Sequence, residues 1–517
     1  MSVWPGPEGT KQAPQAQALN LRGQYRLTRL LFLRLLGGIY FVAFLSLSQQ
    51  LIPLLGTHGL LPARHYLENL ESAYGGRLPA FVALPTIFWF DCSDVFLSAL
   101  SHVGIGLSVV VLLGFANAPL LGLLWFLYLS FVHVGQLFYG YGWEILLLET
   151  GFLAIFLCPV LDGWPFASTV LPPTAVIWLL RLVLFRVMFG AGLIKLRGDA
   201  CWRDLTCMLY HYETQPLPNP FSWYLHQLPP ALHKLEVLGN HGIELIVPWT
   251  LFAPRRLRHI GGVLLVGFQL HLIISGNLSW LNWLTIALCV PCFDDQALSH
   301  LFPTRLLQRL AERAPSAPSR LRQAVIYGLT GLILCLSIGP ALNLLVSRQV
   351  MNGSFDRLHL VNTYGAFGSI GKRRQEIILE GTSDAAISRA TQWQAYEFKC
   401  KPGDVERRPC VVAPYHYRLD WQIWFAAMEN AGSNPWLLHL IEKLLQNDAG
   451  ALSLLANNPF PQAPPRFIRA ERYTYEFTRV GEPGRAWWKR TRVGTYLPPL
   501  SLDNAAFIKA LEDQGWR

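Results

Sequence analysis

Long apolar runs separated by short polar segments occupy the first two-thirds of the chain. They cover roughly residues 30–47, 95–115, 118–138, 143–161, 173–195, 234–254, 260–276, 278–293 and 324–347. Most of them approach the roughly 20 apolar residues that a helix needs to cross the hydrocarbon core of a bilayer. The pattern therefore predicts a polytopic α-helical membrane domain over residues 25–348, with about nine spans.

The pattern changes at Val350, after which short segments rich in β-branched and aromatic residues recur. Polar and aromatic residues alternate from Arg472 to Thr478, as they do in a half-buried strand. Strands are predicted at 359–364, 374–379, 393–398, 410–412, 467–478 and 487–493, and helices at 419–431, 434–456 and 503–512. Residues 349–517 are therefore expected to form a soluble, mainly β, sandwich-like domain with a few helices.

Composition and charge agree with a membrane protein. Charged residues make up 15% of the chain, against roughly 25% in an average soluble protein. Residues 1–24 are rich in Pro, Gly and Gln and predict a disordered tail. The net charge of +10 is explained by basic loops on the cytosolic side of a membrane, so no nucleic-acid partner is expected.

The basic loops also predict the orientation of the chain. With the N-terminus in the cytosol, the turn 255–259 and the arginine-rich loop 294–323 both fall on the cytosolic side, as the positive-inside rule requires. The loop 196–233 and the C-terminal domain then share the opposite, extracytosolic side. Within the spans, Glu144 and Glu149 on one helix should pair with Arg181 and Arg186 on the next, since unpaired charges are costly in a membrane.

The stretch from Gly192 to Pro220 concentrates charges, aromatic residues and prolines where a span meets the interface. Lys195, Arg197 and Asp199 either mark a functional site or act as interfacial anchors. Aromatic side chains here could dock exposed apolar surface of a protein partner. The candidate binding residues are Trp202, Asp204, Tyr210, His211, Tyr212, Glu213, Trp223 and Tyr224.

Nine cysteines leave at least one unpaired. Cys400 and Cys410 flank a Pro/Gly-containing loop on the extracytosolic side, and we expect them to form a structural disulfide. Cys201 and Cys207 could also pair, but on a continuous helix they would face different ways. The Cys289–Cys292 spacing matches a thiol redox pair, but it lacks the strand-then-helix context of that motif. Packing of small residues explains it better.

Motifs of known catalytic chemistry are missing from the sequence. There is no Gly-x-Ser-x-Gly elbow, no His-Glu-x-x-His and no Walker or dinucleotide glycine pattern. His211 with Glu213, and His416 with Asp420, place a histidine near an acid, which is more often polar structure than a site. We therefore expect no metal and no cofactor.

Several long motifs resemble the lipase maturation factor family. They are the stretches 195–206, 210–224, 362–368, 396–404, 408–410 and 414–421, in the family's order. The resemblance implies a polytopic membrane protein that helps secreted lipases reach an active form, acting as a maturation factor or chaperone. It implies the endoplasmic reticulum membrane for a eukaryotic member, and we expect the cytoplasmic membrane for a bacterial one.

A shorter stretch supports an alternative hypothesis. Residues 190–195, followed by Trp202, are similar to a helix end of vitamin K-dependent carboxylase-like membrane domains. That resemblance implies an enzyme acting on a lipid-like or quinone-like molecule, with Lys195 as the candidate base. A third hypothesis, a thiol–disulfide partner, would depend on Cys201 or Cys400.

Overall fold

A computed structural model describes residues 23–164, 168–311 and 316–517. The predicted tail lies outside these residues except for its last two. The helices of the first half are α1 Arg26–Leu55, α2 Ala63–Ala73, α3 Arg77–Ala83, α4 Asp94–Leu112, α5 Ala118–Val134, α6 Gly142–Leu157, α7 Thr174–Arg197, α8 Ala200–Arg203, α9 Met208–Thr214, α10 Pro220–His226, α11 Pro230–His241, α12 Arg255–Ser275, α13 Leu281–Cys289, α14 Asp295–Leu298, α15 Thr304–Ala311, α16 Arg320–Leu336 and α17 Ile338–Leu345.

Among the described residues, five helical segments are long and apolar enough to cross a membrane: α1, α4, α7, α12, and α16 together with α17. Helix α5 is shorter, as is α13 with the turn that follows it. The predicted segment 234–254 is instead interrupted by a π-turn at Gly242–Ile246 and a 3-10 turn at Val247–Phe252. Pro248 lies in that turn, where it cannot donate the hydrogen bond of a regular helix. The count of nine spans stays a prediction.

The second half contains one antiparallel sheet with the strand order β2-β1-β3-β4. The strands are β1 Arg374–Thr382, β2 Gln394–Ala395, β3 Phe467–Phe477 and β4 Trp488–Leu500. The prediction of a sheet with a few helices in this half is thus confirmed, but the strands form a single sheet, and the described residues 316–517 contain no second layer of a sandwich.

Two predicted strands are irregular because membrane-half side chains bind their backbone. The amide of Asn362 donates to Glu149, and the amides of Val412 and Ala413 both donate to Oδ1 of Asn277. A backbone group that is already bonded in this way is not available to a β-ladder.

Four helices accompany the sheet: α18 Arg418–Met428, α19 Trp436–Leu445, α20 Ala449–Ser453 and α21 Ala505–Glu512. The predicted helix 434–456 is divided into α19 and α20 at Asn447, which has a φ of 56°. Asp448 then caps α20 by accepting from the amide of Ala451 at 2.7 Å. Asn and Asp are residues that tolerate or stabilise such a break.

The two halves share one continuous core. Gln50 of α1 donates to the carbonyl of His416 at 2.7 Å and accepts from the amide of Arg418. Gln422 of α18 donates to the carbonyl of Leu137 and to the hydroxyl of Tyr141. Helix α18 is therefore seated on the end of the helical bundle.

Candidate functional site

The last turn of α7 places Lys195 in a buried polar cluster. Its Nζ lies 2.7 Å from each carboxylate oxygen of Glu244 and 3.0 Å from Oδ1 of Asn240. The Asn240 amide also donates to Glu244 at 2.8 Å. Gly192 permits the close approach, because a Cβ there would lie 2.9 Å from the Cβ of Glu244.

This geometry favours a charged Lys195. The side chains of Lys195 and Glu244 are only 6% and 5% exposed, and the face of Trp202 lies 5.0 Å from the ammonium nitrogen. Both contacts stabilise a cation. A lysine acting as a base must be neutral, so the arrangement suits a structural ion pair better than a catalytic one.

We expect Lys195→Met to lower the free energy of unfolding by about 3–5 kcal/mol, because it leaves the Glu244 carboxylate buried without its counter-charge. The double variant Lys195→Met with Glu244→Met should recover much of that loss. Thermal unfolding in detergent measures both effects. If Lys195 were a catalytic base, the double variant would be stable but would lose the cellular activity of the protein. That result would contradict the structural interpretation.

His211 extends the cluster from α9. Its ring packs edge-on against Phe367 at 4.9 Å between centroids. Burial, with smaller contributions from Lys195 and His271, lowers the pKa of His211 to about 3. The imidazole is therefore neutral at physiological pH and adds no charge to the cluster.

The polar cluster lies beside a cavity of about 720 Å³ at the end of the bundle that faces the second half. Its walls come from α7, α12, α13 and α18 and from the segment 364–375. Apolar side chains dominate the walls, among them Met188, Phe268, Leu272, Leu281, Phe425 and Met428. Among the polar groups, Asn282 donates to Gln269 at 2.8 Å.

The segment 199–227 is fixed to the second half by side-chain hydrogen bonds. The indole of Trp202 donates to the carbonyl of Phe367 at 2.8 Å. Asp199 accepts from the amide of Ile370 at 2.6 Å. Trp223 donates to Oγ1 of Thr478 at 3.2 Å. These bonds make the segment a docked part of the fold.

Arg374 is the central contact between this segment and the sheet. From β1 it donates to the backbone carbonyls of Glu213, Gln215 and Pro216. Its guanidinium also pairs with Glu376 at 2.6 Å, and Lys401 lies 3.0 Å from the other oxygen of that carboxylate. All three side chains are almost completely buried, so this network holds the segment rigidly.

The candidate binding residues divide by exposure. Trp202 and Tyr212 are buried, with relative exposures of 2% and 0%, and His211 is buried as well. Tyr210, Glu213 and Trp223 are half-buried, whereas Asp204 is exposed and Tyr224 is 57% exposed. Direct contact with a protein partner therefore stays a prediction. Without a rearrangement of the fold, only the exposed residues Asp204 and Tyr224 can make full contact.

The histidine–acid neighbours of the sequence do not form pairs. Glu213 accepts from the amide of Phe477 at 2.8 Å, and burial raises its pKa. Asp420 accepts from the amides of Cys400 and Lys401. The ring of His416 is instead surrounded by aromatic side chains, namely Tyr141, Trp143, Trp280 and Trp421.

Two disulfides stabilise this region. Cys400 pairs with Cys410, as predicted, and Cys201 pairs with Cys207. The second pair is possible because α8 ends at Arg203, so the two cysteines do not share one helix. The described free cysteines are Cys92, Cys158, Cys289, Cys292 and Cys335.

Cys400→Ser is expected to lower the free energy of unfolding by about 2–3 kcal/mol, because the unfolded chain regains the freedom of the short loop. Thermal unfolding without reductant measures the loss. Cys335→Ser, at an exposed free cysteine, is the matched control and should change little. Equal stability of both variants would contradict a stabilising role for the disulfide.

The ion pairs inside the bundle follow the sequence prediction in part. Glu149 pairs with Arg186. Glu144 instead pairs with Arg418 of α18 at 2.8 Å. Arg181 donates to the carbonyl of Pro291 and the hydroxyl of Tyr25. Sequence reasoning missed Arg418, since nothing local indicates a partner 274 positions away.

The same reasoning missed Glu244, Asn240 and Arg374. Glu244 lies in an apolar run, and an acid inside such a run is the one local signal that could have marked it. Asn240 and Arg374 carry no such signal, because their partners are set by chain folding.

Comparisons with known proteins assign the family. The Lipase maturation factor transmembrane domain matches residues 27–300, and the Lipase maturation factor C-terminal domain matches residues 360–498. Lipase maturation factor 1 of Homo sapiens is 49% identical, with 99% of this chain and 94% of that protein covered. The Bos taurus protein of the same name is 50% identical, with 95% and 93% covered.

A more distant relative is Lipase maturation factor 2 of Homo sapiens, 30% identical with 95% of this chain and 85% of that protein covered. No solved structure matches significantly. These matches lend no support to the carboxylase-like alternative. With the five long apolar helices, they identify an integral membrane protein. The chain belongs to the lipase maturation factor family.

Proposed function

We propose that this chain is a membrane-anchored maturation factor that assists the folding and assembly of secreted lipases. The names of relatives at 49–50% identity over nearly the full length support this function. The observation that carries it is that both family domains occur in one chain and in one continuous core. The client is a secreted lipase or a similar secreted protein, and the bilayer is the anchor.

The proposed orientation places the N-terminus in the cytosol and residues 349–517 outside it. Both disulfides support this arrangement, since they lie in segments assigned to the extracytosolic side, where an oxidising compartment lets disulfides form. In a eukaryote that compartment is the lumen of the endoplasmic reticulum, and in a bacterium it lies beyond the cytoplasmic membrane.

The proposed client contact is the exposed aromatic edge of α10. Phe221 and Tyr224 are 56% and 57% exposed, while their neighbour Trp223 anchors the helix to Thr478. Rigid aromatic side chains on a fixed helix offer apolar contact area at low entropic cost. An immature lipase exposes apolar surface that such side chains can cover.

Co-expression with a secreted lipase tests the function. In cells lacking their own maturation factor, the intact chain should raise the activity of the secreted lipase per unit of lipase protein. Lipase of equal specific activity with and without the intact chain would contradict the proposed function.

The contact is tested by Phe221→Ser with Tyr224→Ser. This variant should lower the specific activity of the lipase about fivefold or more, because lost aromatic anchors typically cost 1–2 kcal/mol or more. Val480→Ser, at a position 66% exposed, is the control. Point variants are preferable to deletion of residues 200–224, since deletion would also remove the partners of Arg374. Unchanged lipase activity with the double variant would exclude this edge as the contact.

A further inference from the structure

We propose that the cavity beside Lys195 binds a single-chain amphiphile with an anionic head group, of the fatty-acid class. This ligand site goes beyond the proposed function, because it concerns a small molecule and not the lipase client.

The size and lining of the cavity fit an acyl chain. Its volume of about 720 Å³ lies within the roughly 300–1,000 Å³ of small-molecule sites, which are mostly apolar with a few fixed polar groups. Met188, Phe268, Leu272 and Leu281 supply apolar walls from three helices of the bundle. Transfer of a hydrocarbon chain into such a space is favoured in proportion to the apolar area buried.

One side of the cavity opens where the protein surface is apolar. Leu264 lines the cavity from α12 and is also 44% exposed. Gly239 of α11 lines it as well and is exposed. Helix α12 is one of the five long apolar helices, so this opening faces the hydrocarbon of the bilayer. An acyl chain can therefore enter sideways without crossing water.

A second exposed part of the cavity lining is polar and basic. Ser369, Gly371 and Arg373 line it and are exposed. The adjacent Arg374 is already occupied by three backbone carbonyls and Glu376. Arg373 forms no ion pair within the part of the chain that the structure describes. It is thus the cation left to face an anionic head group at this mouth.

The buried polar groups of the cavity favour binding of a ligand over catalysis. Lys195 is neutralised by Glu244, so it neither attracts a second anion deep in the cavity nor serves as a base. Gln269 and Asn282 bond each other. Because Lys195 is paired within the described residues and Arg373 is not, the proposed head group lies at Arg373 and the acyl chain lies among the helices.

Photolabelling tests the site. The intact protein in phosphatidylcholine nanodiscs is exposed to a photoactivatable oleate analogue, and labelled peptides are mapped by mass spectrometry. Labels on α7, α12 or α13 that excess oleate competes away are expected. Labelling confined to the outer faces of helices, or not competed by oleate, would overturn the proposal.

Cavity-filling variants give the matched comparison. Ala191→Phe and Leu272→Trp place bulk at lining positions and should each reduce competed labelling about tenfold, because steric overlap excludes the chain. Val263→Trp, next to Leu264 on α12 but 61% exposed and outside the lining, should leave labelling unchanged. If Ala191→Phe does not fold, Leu272→Trp decides. Equal labelling of Leu272→Trp and Val263→Trp would contradict the proposal.

The head-group assignment has its own test. Arg373→Gln should weaken competition by oleate about three- to fivefold, the range of a partly exposed ion pair, and leave competition by oleyl alcohol unchanged. Competition by oleate that is unaffected by Arg373→Gln would overturn the anionic head group. All these readouts measure ligand binding directly, so they stay decisive whether or not the lipase experiment succeeds.

Discussion

Arg418→Met is expected to lower the free energy of unfolding by about 3–5 kcal/mol, the cost of leaving one partner of a buried ion pair alone. Both Arg418 and Glu144 have fully buried side chains. The guanidinium also donates to the carbonyl of Phe138 and lies 3.5 Å from the ring centroid of Tyr139. Its loss should therefore loosen α18 from the bundle, which thermal unfolding in detergent will detect.

A second variant separates charge from packing. Glu144→Gln combined with Arg418→Met removes both charges, and it should be more stable than Arg418→Met alone. Arg389→Gln, at an exposed arginine, is the control and should unfold like the parent protein. If the single and double variants are equally unstable, the stacking on Tyr139 and not the ion pair holds α18.

Arg374→Met is expected to release the segment 199–227 from the sheet. It leaves the carbonyls of Glu213, Gln215 and Pro216 without their donor, and each buried unsatisfied group costs about 1–3 kcal/mol. The loss in stability should therefore also reach about 3–5 kcal/mol, and backbone amides of 208–217 should exchange with deuterium at least about tenfold faster. Hydrogen-exchange mass spectrometry measures the second effect.

Lys372→Met is the matched control for this experiment. Lys372 precedes β1 by two positions and is exposed, so its replacement should leave amide exchange in 208–217 unchanged. Because Arg374 bonds to the backbone of residues 213–216 and not to Phe221 or Tyr224, a loss of lipase maturation in Arg374→Met would arise from the position of the exposed edge of α10. Unchanged exchange in Arg374→Met would show that other contacts suffice to hold the segment.

Local sequence patterns predicted the elements that are stabilised by interactions between nearby residues or by the bilayer. The apolar runs predicted α1, α4, α7 and α12, because a hydrocarbon environment requires every backbone group to be bonded within the helix. Alternation predicted β3, and the predicted helix 503–512 is α21, where Asn504 accepts from the amide of Phe507 as the cap. The Cys400–Cys410 pair was predicted from the Pro/Gly-containing loop between the two cysteines and from its place on the extracytosolic side.

The site itself depended on contacts that no local pattern contains. The partner of Lys195 is 49 positions away, and the carbonyls held by Arg374 are about 160 positions away. The prediction that Trp202 and Tyr212 contact a protein partner did not anticipate how completely both side chains are buried. Aromatic side chains are favoured at binding surfaces and in cores alike, so composition could not separate the two.

By itself, the sequence determined that this is a membrane protein, where its apolar helices and main strands lie, and which family its motifs resemble. These properties depend on local hydrophobicity, short-range periodicity and contiguous residues. Only the tertiary structure decided the roles of residues 192–224: Lys195 pairs with Glu244, Arg374 binds three backbone carbonyls of this stretch, and Phe221 and Tyr224 remain exposed. The reason is physical, since a buried charge takes whichever partner the folded chain brings within about 3–4 Å, and that proximity is a property of the whole chain.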